Sequence, residues 1–213
     1  MVLLAGTSLA ADRGQKPIDV TSQQMEMLEK GKVALFTGQV KVVQENGTLW
    51  ADKVWHYLSA DRLEAEGHVH YQEIKDKEIN DIYGGKMTYD RKKSYGQVTV
   101  DPKMTRTNPV KPDEDAVVTG DMIEIFSQEK RARVTGHVDI TQKDSKAKSD
   151  VADYYSEAKK LVLTGHPWVW QKNPDNEGEY TGTVITVFTD TKKVVIEENV
   201  VAKITPVKKE KTE

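Results

Sequence analysis

Three histidines follow directly after a glycine: His68, His137 and His166. Imidazole is the commonest metal ligand and the side chain that titrates near neutral pH, so a recurring histidine is where chemistry is first sought. The row is broken, because Gln39 and Gln97 hold the same place after Gly38 and Gly96. No carboxylate or second histidine is expected to recur with them, so the pattern favours a solvated polar ladder, and no metal is expected. The chain has no nucleophile elbow, no Ser/His/Asp spacing and no phosphate-cradling glycine loop. Cysteine is absent, which removes thiol chemistry and disulfides. A non-enzyme without a cofactor is expected.

Basic residues recur five or six positions before the glycines: Lys32, Arg62, Arg91, Lys130, Arg131, Lys159 and Lys160. Lysine in exposed turns is commonplace and discourages stray edge pairing. The functional alternative is a basic rim that meets phosphates or acidic sugars. Trp50, Trp55, Trp168 and Trp170 allow either a carbohydrate platform or core packing. Charged residues make up 31% of the chain, yet net charge is only −3 and no basic stripe alternates with aromatics. Nucleic acid is therefore excluded as a partner.

The elements that must position these residues form a repeat. Gly-x-Val-type segments start at Gly38, Gly67, Gly96, Gly136 and Gly165, with a weaker copy at Asn199-Val200-Val201-Ala202. The intervals 38 to 67, 67 to 96 and 136 to 165 are each 29 residues, and the interval 96 to 136 is 40, its extra length falling in the Pro-rich stretch 101–115. A fixed period of this size marks one supersecondary unit stacked on its own copies. Each unit reads as two strands joined by a polar turn, and Asp52, Asp121 and Asp150 each lie 15 positions before a glycine. Asn46-Gly47 predicts a tight type I′ hairpin. The segment 22–30 has helical propensity but occupies a strand position.

Period-2 alternation puts Phe36, Val40, Val42, Leu63, Val69, Tyr71, Val98, Val100, Val138, Ile140, Leu161, Leu163 and Val169 on one apolar face. Two readings stay open for that face: a closed sandwich core, or the lining of a groove that holds acyl chains. His68, His137, Gln39 and Gln97 fall on the opposite face, forced there by alternation.

The opening 2–11 is apolar and ends in Ser8-Leu9-Ala10, small residues at the spacing of an export-signal cleavage site. The expected organisation is a signal remnant over 1–11, one β domain over 12–205 and a charged disordered tail over 206–213. The terminal strands are expected to carry unpaired edges at Ile18 and Val20 on one side and Val195, Val200 and Ile204 on the other, through which chains pair head to tail.

Three stretches carry a family likeness: Lys16 to Ser22, Phe36-Thr37-Gly38-Gln39-Val40, and Leu49-Trp50-Ala51-Asp52-Lys53-Val54. Together with Thr135-Gly136-His137-Val138 and Asp150 to Tyr155 they resemble the LptA/OstA family of periplasmic lipopolysaccharide-transport proteins, over about residues 16 to 205. The resemblance implies an all-β fold: an elongated, twisted, V-shaped antiparallel β-jellyroll of repeated hairpin units, open at both ends. It also implies lipopolysaccharide, through its lipid A, as the cargo of an apolar groove. The implied partners are an inner-membrane export complex, an outer-membrane translocon with the same fold, and further copies of the chain. A chain exported to the periplasm follows. The competing function is an exported β-repeat scaffold that binds protein or glycan through the Trp-bearing strands. A polysaccharide-cleaving enzyme would need a facing carboxylate pair.

Overall fold

The computed structural model describes residues 18–75 and 77–207. In chain order the strands are β1 (Asp19–Thr21), β2 (Gln24–Leu28), β3 (Val33–Gln44), β4 (Gly47–Tyr57), β5 (Arg62–Lys75) and β6 (Glu78–Asp90). They continue with β7 (Tyr95–Thr99), β8 (Lys103–Thr107), β9 (Ala116–Thr119), β10 (Met122–Phe126), β11 (Arg131–Gln142) and β12 (Ser145–Tyr155). The last are β13 (Lys160–Thr164), β14 (Trp168–Lys172), β15 (Asn176–Thr181), β16 (Val184–Phe188), β17 (Val194–Glu197) and β18 (Val201–Pro206). The only helical pieces among the described residues are the 3-10 turns Glu29–Gly31 and Pro112–Glu114. The segment 22–30, despite its helical propensity, is strand β2 followed by the first of these turns.

Every pairing is antiparallel, and the six long strands each serve two sheets. Residues 33–37 of β3 pair with β2, while residues 41–43 pair with β1. The β3–β4 register breaks between Thr37 and Val40, with equivalent breaks at Glu66/Val69 and Thr135/Val138. At each break the strand turns a corner from the first sheet into the second. The first sheet runs from β2 through β7, β10, β13 and β16 to β17, and the second from β1 through β8, β9, β14 and β15 to β18. Each is twelve strand segments across once the halves of the long strands are included. At ~4.8 Å between strands the body is about 50 Å long. It is an all-β antiparallel stack of hairpins.

The corners explain the repeat. Two consecutive residues take left-handed φ at 38/39, 67/68, 100/101, 136/137, 165/166 and 198/199. The residue 15 positions earlier lies against each corner; in five of them its N–H donates to the first corner residue's carbonyl, as with Gln23 to Gly38 (3.0 Å), Asp121 to Gly136 (2.9 Å) and Asp150 to Gly165 (2.8 Å). Glycine occupies the first left-handed place in four corners because a Cβ at Gly67, Gly136 or Gly165 would collide with the Asp52, Asp121 or Asp150 carboxylate.

The third corner corrects the sequence reading. It lies at Val100-Asp101, whereas Gly96 is an ordinary buried residue inside β7, opposite Tyr89 and Ile125. The true spacings between corners are therefore 29, 33, 36, 29 and 33 residues. The 29-residue interval from Gly67 to Gly96 has no structural counterpart. The Asn46-Gly47 turn is also corrected: Glu45, not Gly47, takes positive φ (54°), and Gly47 is the buried first residue of β4, where a Cβ would lie 2.5 Å from the Tyr71 hydroxyl. Pro206, expected to open the tail, closes β18 opposite Asn176. The proposed signal remnant and the tail beyond Val207 lie outside the described residues.

Candidate functional site

The two sheets enclose one face built in rows. Nearest the corners, on the first sheet, Val54, Ala65, Met87, Val98, Ile123, Val134, Ala152, Leu163 and Ile185 follow one another strand by strand and are all at most 4% exposed. Their counterparts near the corner on the second sheet, Val40, Ala51, Val69 and Val138, are equally sealed. Burying a Val, Leu or Ile side chain here contributes about 1.5–3 kcal/mol each. This row is a packed seam, and it holds the two sheets together.

One row further from the corners the face stays apolar and is half buried in places, with Val42, Leu49, Ile82, Ile125, Ala132 and Val169 of the same rows sealed. Leu63, Tyr89, Leu161 and Val187 form the wall on the first sheet, with Tyr71, Met104, Val118, Ile140 and Tyr180 on the second. The next row turns polar: Gln44, Glu73, Asn80, Arg106, Gln142 and Gln171 on the second sheet. Opposite them, the turns of the first sheet place Ser94 and Ser127 at the wall's edge. In section the interior is a sealed apolar floor, apolar and aromatic walls that are half buried at residues such as Leu161 and Ile140, and a polar row in which Glu73 and Asn80 are themselves buried.

Burial pushes the Tyr71 hydroxyl far above its ordinary pKa, and the neighbouring Glu73 charge adds to the effect. Burial also raises Tyr89, whose hydroxyl is bonded to the Ser127 side chain. Both phenols are neutral at physiological pH. Burial lowers the pKa of His56, the wall residue paired with Leu63 and Ala34. The walls therefore carry no charge, as suits an apolar ligand.

The expected groove residues separate into three groups. Val40, Val42, Val69, Val98, Val138, Leu163 and Val169 belong to the sealed interior at 0–6% exposure. Phe36, Leu63, Tyr71, Ile140 and Leu161 are half buried and line the accessible walls. Val100 is a correction: it sits outside at a corner, 61% exposed, because the strand bends one residue before it. Tyr89, Met104, Val118, Tyr180 and Val187 complete the walls and were not anticipated. Their signal was the same alternation, read on strands outside the repeat's Gly-x-Val-type segments.

The basic residues are largely used elsewhere. Arg62, Arg131 and Lys160 lie in strands on the outer face, each over an aromatic ring five residues earlier: Tyr57 at 4.4 Å, Phe126 at 3.9 Å and Tyr155 at 5.3 Å. They clamp the hairpin ends and do not face the trough, so the rim reading is corrected for these three. Arg91 is paired with Asp61 at 3.0 Å. Lys32, Lys130 and Lys159 remain in the turns along the first sheet's edge.

The histidines are corrected in one respect. His68, His137 and His166 are exposed, as alternation requires, but each Nδ1 meets the aspartate 15 residues before its glycine, at 2.8–3.0 Å. The sequence held both halves of these pairs at fixed spacing. Among the described residues no group of three or more His, Cys, Asp or Glu is placed to hold a metal ion. Of the tryptophans, Trp50 stacks on His70 (4.8 Å), which stacks on Tyr83 (4.4 Å), all on the outer face of the second sheet.

Among the described residues the two sheets end without closing: β1 and β2 pair only with β3 at one end, and β17 and β18 only with β16 and β15 at the other. Of the expected edge residues, Ile18, Val20 and Val195 are half buried, and Val200 (53%) and Ile204 (60%) are exposed. Met25 and Met27 are similarly open on β2.

No curated protein matches the sequence. Among solved structures, a similar one is LptH of Pseudomonas aeruginosa, described as the LptA-homologous periplasmic component of the lipopolysaccharide transport device. It shares 15% identity, with 91% of this chain and 96% of that chain covered and a TM-score of 0.32. A family profile described as LptA/(LptD N-terminal domain) LPS transport protein matches residues 19–131 and again 127–193. With most of its length matched in two overlapping passes, the chain belongs to the LptA/LptD N-terminal domain family of lipopolysaccharide transport proteins.

Proposed function

We propose that this chain is a periplasmic carrier that holds the acyl chains of lipopolysaccharide in the interior trough while the sugar and phosphate part stays at the polar lips. Family membership supports the cargo. The observation that carries the mode of binding is the graded interior: sealed floor, half-open apolar walls such as Leu161 and Ile140, then a polar row. Apolar contact of ~25 cal/mol per Å2 is non-directional, so a bound lipid can slide along the walls. Nothing in this scheme needs a catalytic group.

The open ends support head-to-tail stacking. With an even number of segments in each sheet, β17 runs antiparallel to β2 and β18 antiparallel to β1. A second copy added at the end extends both sheets in antiparallel register and continues both walls. The same edges suit partners of the same fold at the inner and outer membranes. Such a contact is heterologous and grows without closing.

Charging the wall tests the trough. Leu161→Asp and Ile140→Asp should each lower the affinity for labelled lipopolysaccharide by at least tenfold, with the β-rich circular dichroism spectrum retained. Undiminished binding by both folded variants contradicts the trough.

A further inference from the structure

One row of the trough holds more polarity than an acyl chain requires. Glu73, Asn80 and Arg106 stand directly opposite one another across β5, β6 and β8. They lie two residues beyond Tyr71, Ile82 and Met104 on the same inward face. Glu73 is fully buried and Asn80 is 2% exposed. Asn80 Oδ1, an acceptor, and Arg106 Nε, a donor, are both buried without a hydrogen-bond partner.

The surroundings hold these groups in place. Arg106 Nη2 donates to Glu78 Oε1 at 2.6 Å and to Glu114 at 3.5 Å, so the guanidinium is anchored at its far end. Asn108 Nδ2 donates to the same Glu78 oxygen at 3.3 Å, and its backbone N–H donates to Asp115 at 2.7 Å. This network ties the Pro-rich loop between β8 and β9 to the lip beside Asn80. An unmet buried donor or acceptor costs about 1–3 kcal/mol. Here one of each lies on paired residues inside the trough. A hydroxyl or a secondary amide satisfies both, because each both donates and accepts. An ester oxygen can accept from Arg106 but has no hydrogen for Asn80.

We propose that Asn80 and Arg106 form a polar subsite of the trough that binds a hydroxyl or amide group carried by the ligand's acyl chains, so that hydroxyacyl and amide-linked lipids are preferred over ester-linked phospholipids. The inference rests on the trough reading above.

The test is displacement of a fluorescent apolar probe by lipid A, which carries amide-linked 3-hydroxyacyl chains, and by dipalmitoylphosphatidylglycerol, which carries only ester-linked ones. The intact chain should prefer lipid A by at least tenfold. Asn80→Leu should abolish that preference by weakening lipid A alone, with an unchanged or higher Tm, since a buried unmet acceptor has been replaced by apolar bulk. Asn80→Asp, which keeps the acceptor and the shape, should retain the preference. If the leucine variant does not fold, Asn80→Ala removes the acceptor without added bulk and is read the same way. Comparing 3-hydroxytetradecanoic with tetradecanoic acid assigns the bound group: better displacement by the former means the hydroxyl, equal displacement the amide. Preference unchanged by Asn80→Leu or Asn80→Ala, or equal loss of both lipids, overturns the subsite and leaves the trough standing. Failure of both lipids to displace the probe from the intact chain overturns the trough as well.

Discussion

Gly85 donates its backbone N–H to the carbonyl of Val100 at 2.7 Å, and a Cβ placed on Gly85 would lie 2.7 Å from Val100 Cγ1. In the second corner the same two places are held by Asp52 and Gly67, with the glycine on the other side. The space between a corner and the residue 15 before it is too small for two side chains in these corners, and either residue can be the small one. A β-branched residue at φ 65° is strained by about 1–2 kcal/mol. Val100→Gly is therefore expected to stabilise by up to about 1 kcal/mol, part of the relief being lost to the freer unfolded chain. Gly85→Asp alone should cost about 2 kcal/mol or more, and the double variant should recover most of it. Denaturant unfolding of the four species gives the coupling.

That exchange also explains what the sequence showed and what it concealed. Strand identity and facing were legible, because alternation is strict in segments such as Leu63 to Tyr71. Four corners were legible from Gly38, Gly67, Gly136 and Gly165. The third was not, because its glycine had moved to position 85, and Gly96 offered a Gly-x-Val decoy at the expected interval. The Asp–His pairs across the corners were present as a 15-residue spacing, but nothing local shows that two residues so far apart meet at a bulge. Half the trough walls were missed for a related reason. Met104 and Val118 sit on strands without a corner glycine, and Tyr89 on the strand whose glycine is displaced to position 85, so a search keyed to the Gly-x-Val glycine passes over them. The outward placement of Arg62 and Arg131 follows from alternation, which puts them opposite Leu63 and Ala132.

Asp153 accepts hydrogen bonds from Arg131 Nη1 at 3.0 Å and from Arg133 Nε and Nη2 at 2.9 Å. Burial pushes its pKa up, but the two guanidinium groups outweigh burial and hold it below the ordinary carboxylate value. A depressed carboxyl contributes stability that is complete above its unfolded pKa of about 3.9 and is lost as pH falls through the lower folded value. Asp153→Asn should cost about 2 kcal/mol at pH 7. The difference from the parent chain should shrink steadily below about pH 4. Urea unfolding at a series of pH values checks both parts.

His56 has the opposite charge type and the same sign of linkage. Burial lowers its pKa beneath the ordinary imidazole value of 6.5, the Asp61 and Arg91 charges acting in opposite directions. The unfolded chain therefore binds the proton more readily, and stability declines as pH falls from 6.5 through the folded pKa. His56→Leu should flatten that part of the stability profile relative to the parent chain. Identical pH dependence of Tm in the two proteins between pH 7 and 5 would contradict the assignment.

Stacking through the open ends predicts a concentration-dependent mass. The intact chain should grow in light scattering as concentration rises. Truncation after Glu198, which removes β18, and Ile204→Lys should both hold it at the monomer. A monomer at every concentration in the intact chain rules out self-stacking and leaves the edges for partners of the same fold.

Lipopolysaccharide is proposed to lie between the two sheets, against the half-buried parts of the wall. Neighbouring residues on one strand face opposite ways, so a photo-crosslinking amino acid placed at Leu161 or Ile140 faces the trough, while the same probe at Val162 or Thr141 faces out. With lipopolysaccharide supplied and light applied, adducts are predicted at 161 and 140 and not at 162 or 141. Equal yields at all four positions, or adducts only at 162 and 141, contradict the account.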